Sequence, residues 1–168
     1  MIKLLQLEDA NSLRELRLQS LNTDPESFVS TFEFERQFST NFYQHKIVQF
    51  KAPFGYWGIF VSELIGYCQL APEYLPKLSH LANIYELYLM PKYRHQDHAS
   101  TLLKHVINQA RQVDYLEQIH LHVHGHNLPA INLYKKLGFE HIATRPQVIK
   151  EPNNSYQDEL FFRLNLTK

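Results

Sequence analysis

The stretch between residues 84 and 123 constrains this chain more than any other. Residues 84–90, a largely apolar and aromatic run, read as a strand, and Pro91 stops them. A polar, basic segment follows. Then Leu102, Leu103, Val106, Ile107 and Ala110 recur at a spacing of about 3.6 residues, the mark of an amphipathic helix. Ile119, Leu121 and Val123 next alternate with His120, His122 and His124, the period-two pattern of a strand with two unlike faces. Strand, helix, strand in that order is a crossover between parallel strands, so the chain must contain a sheet with helix packed on it.

The flanks add elements to that sheet. Residues 2–7 read as a short strand. Asp9 or Asn11 caps a helix through Leu13, Leu16 and Leu21, with Arg14, Glu15 and Arg17 on its outer side. Residues 23–26 break it. A second helical stretch spans about residues 31–50, and its stripe of Phe32, Phe34, Phe38 and Phe42 suits core or lid packing. Residues 56–61 and 64–70 flank a turn at Ser62-Glu63 and predict a hairpin. Residues 71–79 carry two prolines and read as a loop. Asn127 precedes a short helix through Ala130, Ile131, Leu133 and Tyr134 that stops at Leu137-Gly138. Late strands are expected at residues 139–143 and 156–166. The expected fold is α/β (α+β), with a single mixed, mostly antiparallel central sheet flanked by helices, in one domain over residues 1–168.

Charge narrows the partners. Lys plus Arg equals Asp plus Glu at 17 each, which gives no basic surplus for nucleic acid or a membrane surface. The single Cys68 excludes an internal disulfide framework and fits a reducing compartment. Glu8 and Asp9 come too early for a secretory signal, and no apolar run nears the ~20 residues that span a bilayer. A cytoplasmic protein is expected.

Two stretches point to chemistry. A strand ending in a short polar loop before a helix leaves backbone N–H groups free at the helix start, where the dipole also favours a phosphate. Lys92 and Arg94 add positive charge there. In residues 126–139, Asn127 caps a helix and Tyr134 follows two turns on, so both can face one ligand.

On these residues the chain resembles the GNAT superfamily of acetyl-CoA-dependent N-acetyltransferases. LYLMPKYR looks like the fourth strand of that fold, and RHQDHA occupies the place of its Arg/Gln-x-x-Gly-x-Gly/Ala loop. NLPAINLYKKLGF is similar to the family's Asn-x-x-Ala-x-x-Leu-Tyr-x-x-x-Gly-Phe segment, and TDPESFVSTFEFE looks like its helix-one to helix-two region. The resemblance implies that backbone groups of Leu87, Tyr88 and Leu89 pair with the pantetheine arm of acetyl-CoA. It implies that Arg94, His95, Gln96, Asp97, His98, Ala99 and Ser100 wrap the pyrophosphate. Asn127 would touch the cofactor near the pantetheine, and Tyr134 would sit near its sulfur.

The loop departs from the pattern. Asp97 stands where the family has Gly, and His95 stands where Gly is frequent. Gly allows close backbone approach and positive φ. A carboxylate ~4 Å from a phosphate charge costs about 1 kcal/mol under water-like screening and about 4 kcal/mol at an effective dielectric near 20. Asp97 is expected to turn inward and cap the helix, offset by Lys92, Arg94, His95 and His98.

The resemblance implies transfer of an acetyl group to a primary amine, on a small molecule or a protein, by direct attack in a ternary complex. An amine with a pKa of about 10.4 must first lose a proton. Glu86 is the first candidate for the base, and Tyr134, with an unperturbed pKa of about 10, for the acid that protonates the leaving thiolate. Strand N–H groups near Leu87–Leu89 polarise the carbonyl. Cys68 is on the wrong strand to act as nucleophile. The alternative is a non-catalytic acyl-CoA-binding or sensing module. No metal is expected: alternating histidines on one strand supply ligands along a line, not a tetrahedron. Glu33, Glu35, Glu151, Asp158 and Glu159 form acidic runs that would attract a cationic amine or simply face solvent. A homodimer is left open.

Overall fold

The crossover between residues 84 and 123 organises the whole molecule. In a computed structural model that describes residues 1–166, Leu81–Leu89 (β4) runs parallel to Gln118–His124 (β5), and His98–Arg111 (α4) connects them. The other strands are Ile2–Leu4 (β1), Gly55–Phe60 (β2), Leu64–Pro72 (β3), Glu140–Lys150 (β6) and Tyr156–Asn165 (β7). They form one sheet in the order β1-β2-β3-β4-β5-β7-β6, antiparallel everywhere except at β4–β5. The remaining helices are Ala10–Thr23 (α1), Phe32–Glu35 (α2), Thr40–Val48 (α3) and Leu128–Lys136 (α5).

Each face of the sheet buries a different set of side chains. The stripe of α4, from Leu102 to Ala110, packs with Ile65, Cys68, Ile119, Leu121 and Phe162. On the other side Leu13, Leu16, Tyr43 and Ile47 of α1 and α3 meet Tyr56, Tyr67 and Tyr88. Each fully buried Leu or Ile is worth roughly 1.5–3 kcal/mol, so these two clusters hold the layers together.

Four expectations change. The helical stretch at residues 31–50 is two helices, α2 and α3. Thr31 caps α2 through Phe34 N, while Arg14 takes the carbonyls of Arg36 and Phe38 at 3.3 and 2.8 Å, so these oxygens are diverted from a continuous helix. The loop at residues 71–79 is shorter, because β3 and β4 pair out to Pro72↔Ala82. β6 runs to Lys150 rather than ending at residue 143. It is an edge strand paired with β7 alone, and ten of its eleven residues are exposed. With both faces in water it carries no alternation to read. Finally, Arg17 is not on the outer side of α1 but is 4% exposed, in line with Leu13, Ser20 and Leu21.

Candidate cofactor and acceptor site

β4 and β5 pair from Leu81↔Gln118 to Ile84↔Leu121 and then part. The cause lies on β4. Tyr85 pairs with Gln69 and Tyr88 with Tyr67, so Glu86 and Leu87 together oppose Cys68 alone. This is a β-bulge, and Glu86 at its first position has a φ of 57°. The added twist turns β4 away from β5. Its residues 85–89 keep β3 on one side and have no strand partner on the other among the described residues. A groove of about 490 Å³ opens there, lined by Leu87, Tyr88 and Leu89, by the following loop, and by Asn127 and Leu133 of the α5 segment.

His95 and Asp97 have φ values of 61° and 60°, the left-handed region where glycine is at ease. The chain therefore keeps the backbone shape of a glycine-rich loop without the glycines. Asp97 does not cap α4, contrary to expectation. At this φ its side chain points outward, 78% exposed with Lys136 Nζ at 3.7 Å, while its carbonyl accepts from Thr101 N and Oγ1 at 2.9 Å. The first-turn N–H groups of α4 have no side-chain cap from Asp97. Ser100 Oγ, buried beside them, has no hydrogen-bond partner among the described residues.

The groove collects His95, Asp97, His98, Ala99 and Ser100, but not Gln96, whose amide donates to Lys92 O at 3.1 Å. Lys92 is drawn off to Glu63 at 3.0 Å. Arg94 lines the groove with its charge already engaged: its guanidinium grips Asp24 at 2.9 and 2.7 Å and donates to Leu89 O at 3.0 Å. Burial works against ionisation of Asp24, yet the bonds from Arg94 and Thr23 outweigh it and hold the carboxyl below its usual range. Arg94 thus clamps the end of α1 to the loop instead of presenting a free charge.

A second cavity, about 470 Å³, adjoins the groove. Ser27, Phe28, Leu87, Asn127 and Ala130 border both. Glu86 and Tyr134 both line this second cavity. The Glu86 carboxylate receives Lys46 Nζ at 3.1 Å and Tyr56 OH at 3.0 Å, with Arg17 at 4.0 Å. Tyr134 packs edge-on against Phe139, and burial pushes its phenol upward. Its hydroxyl makes no hydrogen bond among the described residues. Cys68 is completely buried and its thiol is pushed up to about 12, which suits a core residue and not a nucleophile.

Asn127 caps α5 by accepting from Ala130 N at 3.2 Å and also donates to Ser27 Oγ at 3.2 Å. The histidines of β5 and of the turn after it are individually engaged: His120 with Gln118, His122 with Glu159, His124 with the carbonyl of Glu26, and His126 with Gln157. Three of the five residues in the acidic runs are engaged by cations or backbone, while Glu33 is exposed beside Arg36 and Glu151 keeps one oxygen without a partner among the described residues. Glu35 is buried against Arg17 at 2.6 and 2.9 Å, Glu159 meets Arg145 at 2.8 Å, and Asp158 accepts from Gln147 N. Arg17, Phe28, Lys46, Tyr56 and Arg145 are among the site residues that sequence reading passed over. Arg17 carried a signal, since it stands at i+4 from Leu13 and i−4 from Leu21 in the buried stripe. Phe28 carried none, lying in an irregular loop.

The fold and site define an acyl-CoA-type transferase scaffold: a bulged strand splayed from its parallel neighbour, followed by a left-handed loop and a helix start. Residues 16–139 match the acetyltransferase (GNAT) family, and the chain belongs to it. An N-alpha-acetyltransferase of Sulfurisphaera tokodaii is 28% identical over 102 residues, which cover 56% of this chain and 61% of that relative. The chain thus matches about three fifths of that relative's length. The same fold occurs in an acetyltransferase of the GNAT family from Streptococcus pneumoniae, with a TM-score of 0.89, 16% identity and 98% of each chain covered. It occurs also in yncA, a putative acetyltransferase from Salmonella typhimurium solved with its cofactor acetyl-CoA. That pair has a TM-score of 0.82, 17% identity, and coverage of 100% of this chain and 94% of the other.

Proposed function

We propose that this protein transfers an acetyl group from acetyl-CoA to a primary amine by direct attack in a ternary complex. The observation that carries this reading is the meeting of two cavities at the β4 bulge. The groove offers what a CoA needs, and the adjoining cavity holds a carboxylate and a protonated phenol. The residues present suit the cofactor: residues 87–89 have a free strand edge, the first turn of α4 lacks a side-chain cap from Asp97, and Ser100 Oγ lacks a partner.

Bound acetyl-CoA supplies the thioester that is aminolysed. In this reading the backbone of Leu87, Tyr88 and Leu89 binds the pantetheine as an added strand, and its N–H groups polarise the carbonyl. His95, Asp97, His98, Ala99 and Ser100 cradle the pyrophosphate through backbone N–H groups and the Ser100 hydroxyl. Asn127 holds the partition between groove and cavity. Glu86, kept in place by Lys46 and Tyr56, takes a proton from the acceptor amine, directly or through water. Tyr134, a phenol protonated at neutral pH whose pKa burial raises further, donates to the leaving thiolate.

Thiol release from acetyl-CoA over an amine panel tests the reading. Turnover is expected in the wild type, and Tyr134→Phe should lower kcat by ~10²-fold or more while acetyl-CoA affinity changes little. Cofactor binding without turnover on any amine would favour a binding or sensing module instead.

A further inference from the structure

The charges around the second cavity indicate what enters it. Each carboxylate that lines it already has a cation: Glu35 has Arg17 at 2.6 Å, Glu86 has Lys46 at 3.1 Å, and Glu159 has Arg145 at 2.8 Å. Two of these cations, Arg17 and Arg145, line the cavity, and Lys46 neutralises Glu86 from outside the lining. The cavity therefore holds little surplus negative charge to gather a polyamine, whose extra ammonium groups would lie beside Arg17 and Arg145.

Its spare capacity lies with the arginines. Arg17 is 4% exposed, stacks over Phe28 at 4.9 Å, and spends Nε and one terminal nitrogen on Glu35. Its other terminal nitrogen, NH1, is buried and meets no acceptor at hydrogen-bond distance among the described residues, although the guanidinium also leans on the Tyr67 hydroxyl. A guanidinium N–H left without an acceptor at such a depth is costly, and a ligand oxygen would remove that cost. Arg145, on β6 at the rim, has a side chain 59% exposed and commits one nitrogen to Glu159. The rest of its planar fork is open, the geometry that suits a carboxylate.

Resting on the acetyl-transfer reading, we infer that the acceptor is an amine that also carries a free carboxylate, recognised by Arg17 and Arg145. Such a molecule is a zwitterion before it reacts. It brings no net charge into a cavity whose own charges are nearly offset. Its amine faces Glu86 while its carboxylate takes the unused arginine N–H groups. Arg17 and Arg145 are specificity residues in this account, and the chemistry of transfer stays with Glu86 and Tyr134.

The test uses three matched sets of acceptors: leucine, leucinamide and isoamylamine; phenylalanine, phenylalaninamide and phenethylamine; histidine, histidinamide and histamine. Within at least one set the wild type is expected to prefer the free acid by ~10-fold or more in kcat/KM. In Arg145→Gln, a substitution at an exposed side chain, that ratio should collapse toward one, with the loss in KM of the acid. Arg17→Lys, which keeps the charge but loses the fork, should do the same if it folds. Amides or plain amines used as well as the acids would overturn the inference and leave the acetyltransferase reading intact. If no acceptor is turned over, that reading falls, and thermal shift with the same compounds plus CoA decides the inference. Selective stabilisation by the acids that Arg145→Gln removes would uphold it, and equal shifts across each set would sink it.

Discussion

Asp97 is where the chain departs most from the glycine pattern its loop resembles, and the structure changes what that departure means. Conformation is the smaller issue. Asp visits the left-handed region more easily than most residues, and the relief that Gly brings, about 1 kcal/mol, is largely offset by the greater freedom of Gly in the unfolded chain. Charge is the larger one, and the 78% exposure of the side chain places it near the water-like end of the range, about 1 kcal/mol. Asp97→Gly is therefore expected to bind acetyl-CoA about three- to fivefold more tightly at low salt, with the gain shrinking as salt rises. Isothermal titration at two ionic strengths checks this, and an unchanged Kd would mean that Asp97 is no handicap. The identity of the residue was plain in the sequence. Its outward rotation was not, since that follows from a φ of 60° that only the packed loop sets.

At the scale of elements, the β3–β4 pairing decides the shape of the groove. A Cβ on Gly66 of β3 would lie 2.8 Å from both Leu89 Cδ1 and the carbonyl oxygen of Tyr88. Backbone cannot yield as a side-chain tip can, so β4 would have to shift at the very residues that line the groove. Gly66→Ala is expected to cost about 1–3 kcal/mol in urea unfolding and to weaken acetyl-CoA binding as well. Full retention of both would show that β4 moves freely at this point. The crossover was legible because α4 and β5 each repeat apolar residues at their own period. The division of residues 31–50 into α2 and α3 was not, because it depends on Arg14 reaching two carbonyls 22 and 24 residues away. The bulge at Glu86 was equally hidden: it adds a residue to one strand relative to its partner, and register is a property of the pair.

Across the whole molecule, balanced charge does not mean indifference to pH. Burial lowers the pKa of His120, helped by Arg163 and His122. A depressed histidine binds its proton more readily unfolded, so its contribution is present above about pH 6.5 and is lost as pH falls below that value. Asp24 is depressed too, so its contribution is complete above about pH 4 and disappears at lower pH. Wild-type stability should therefore fall in two stages on acidification. His120→Asn should flatten the first, between about pH 7 and 5, and Asp24→Asn should reduce the second, below about pH 4, where Glu35, held down despite its burial by Arg17, supplies the rest. Urea midpoints across that range read both, and a His120→Asn slope equal to wild type would place the first stage on other histidines.

What the sequence determined by itself was the type of nearly every element and their order apart from the division of residues 31–50, and the residue types at the loop and at Asn127 through Phe139. These are local matters: periodicity, caps and stops act over a few neighbours. Tertiary structure decided which charges are free. Arg94 and Lys92 read as open cations beside a phosphate, yet Asp24 and Glu63 take them. Arg17 read as surface, yet it is buried among partners 18 and 69 residues distant, with one terminal nitrogen unmet. Ion pairs join residues far apart in the chain, and their distances exist only once the sheet has brought α1, β4 and the loops together.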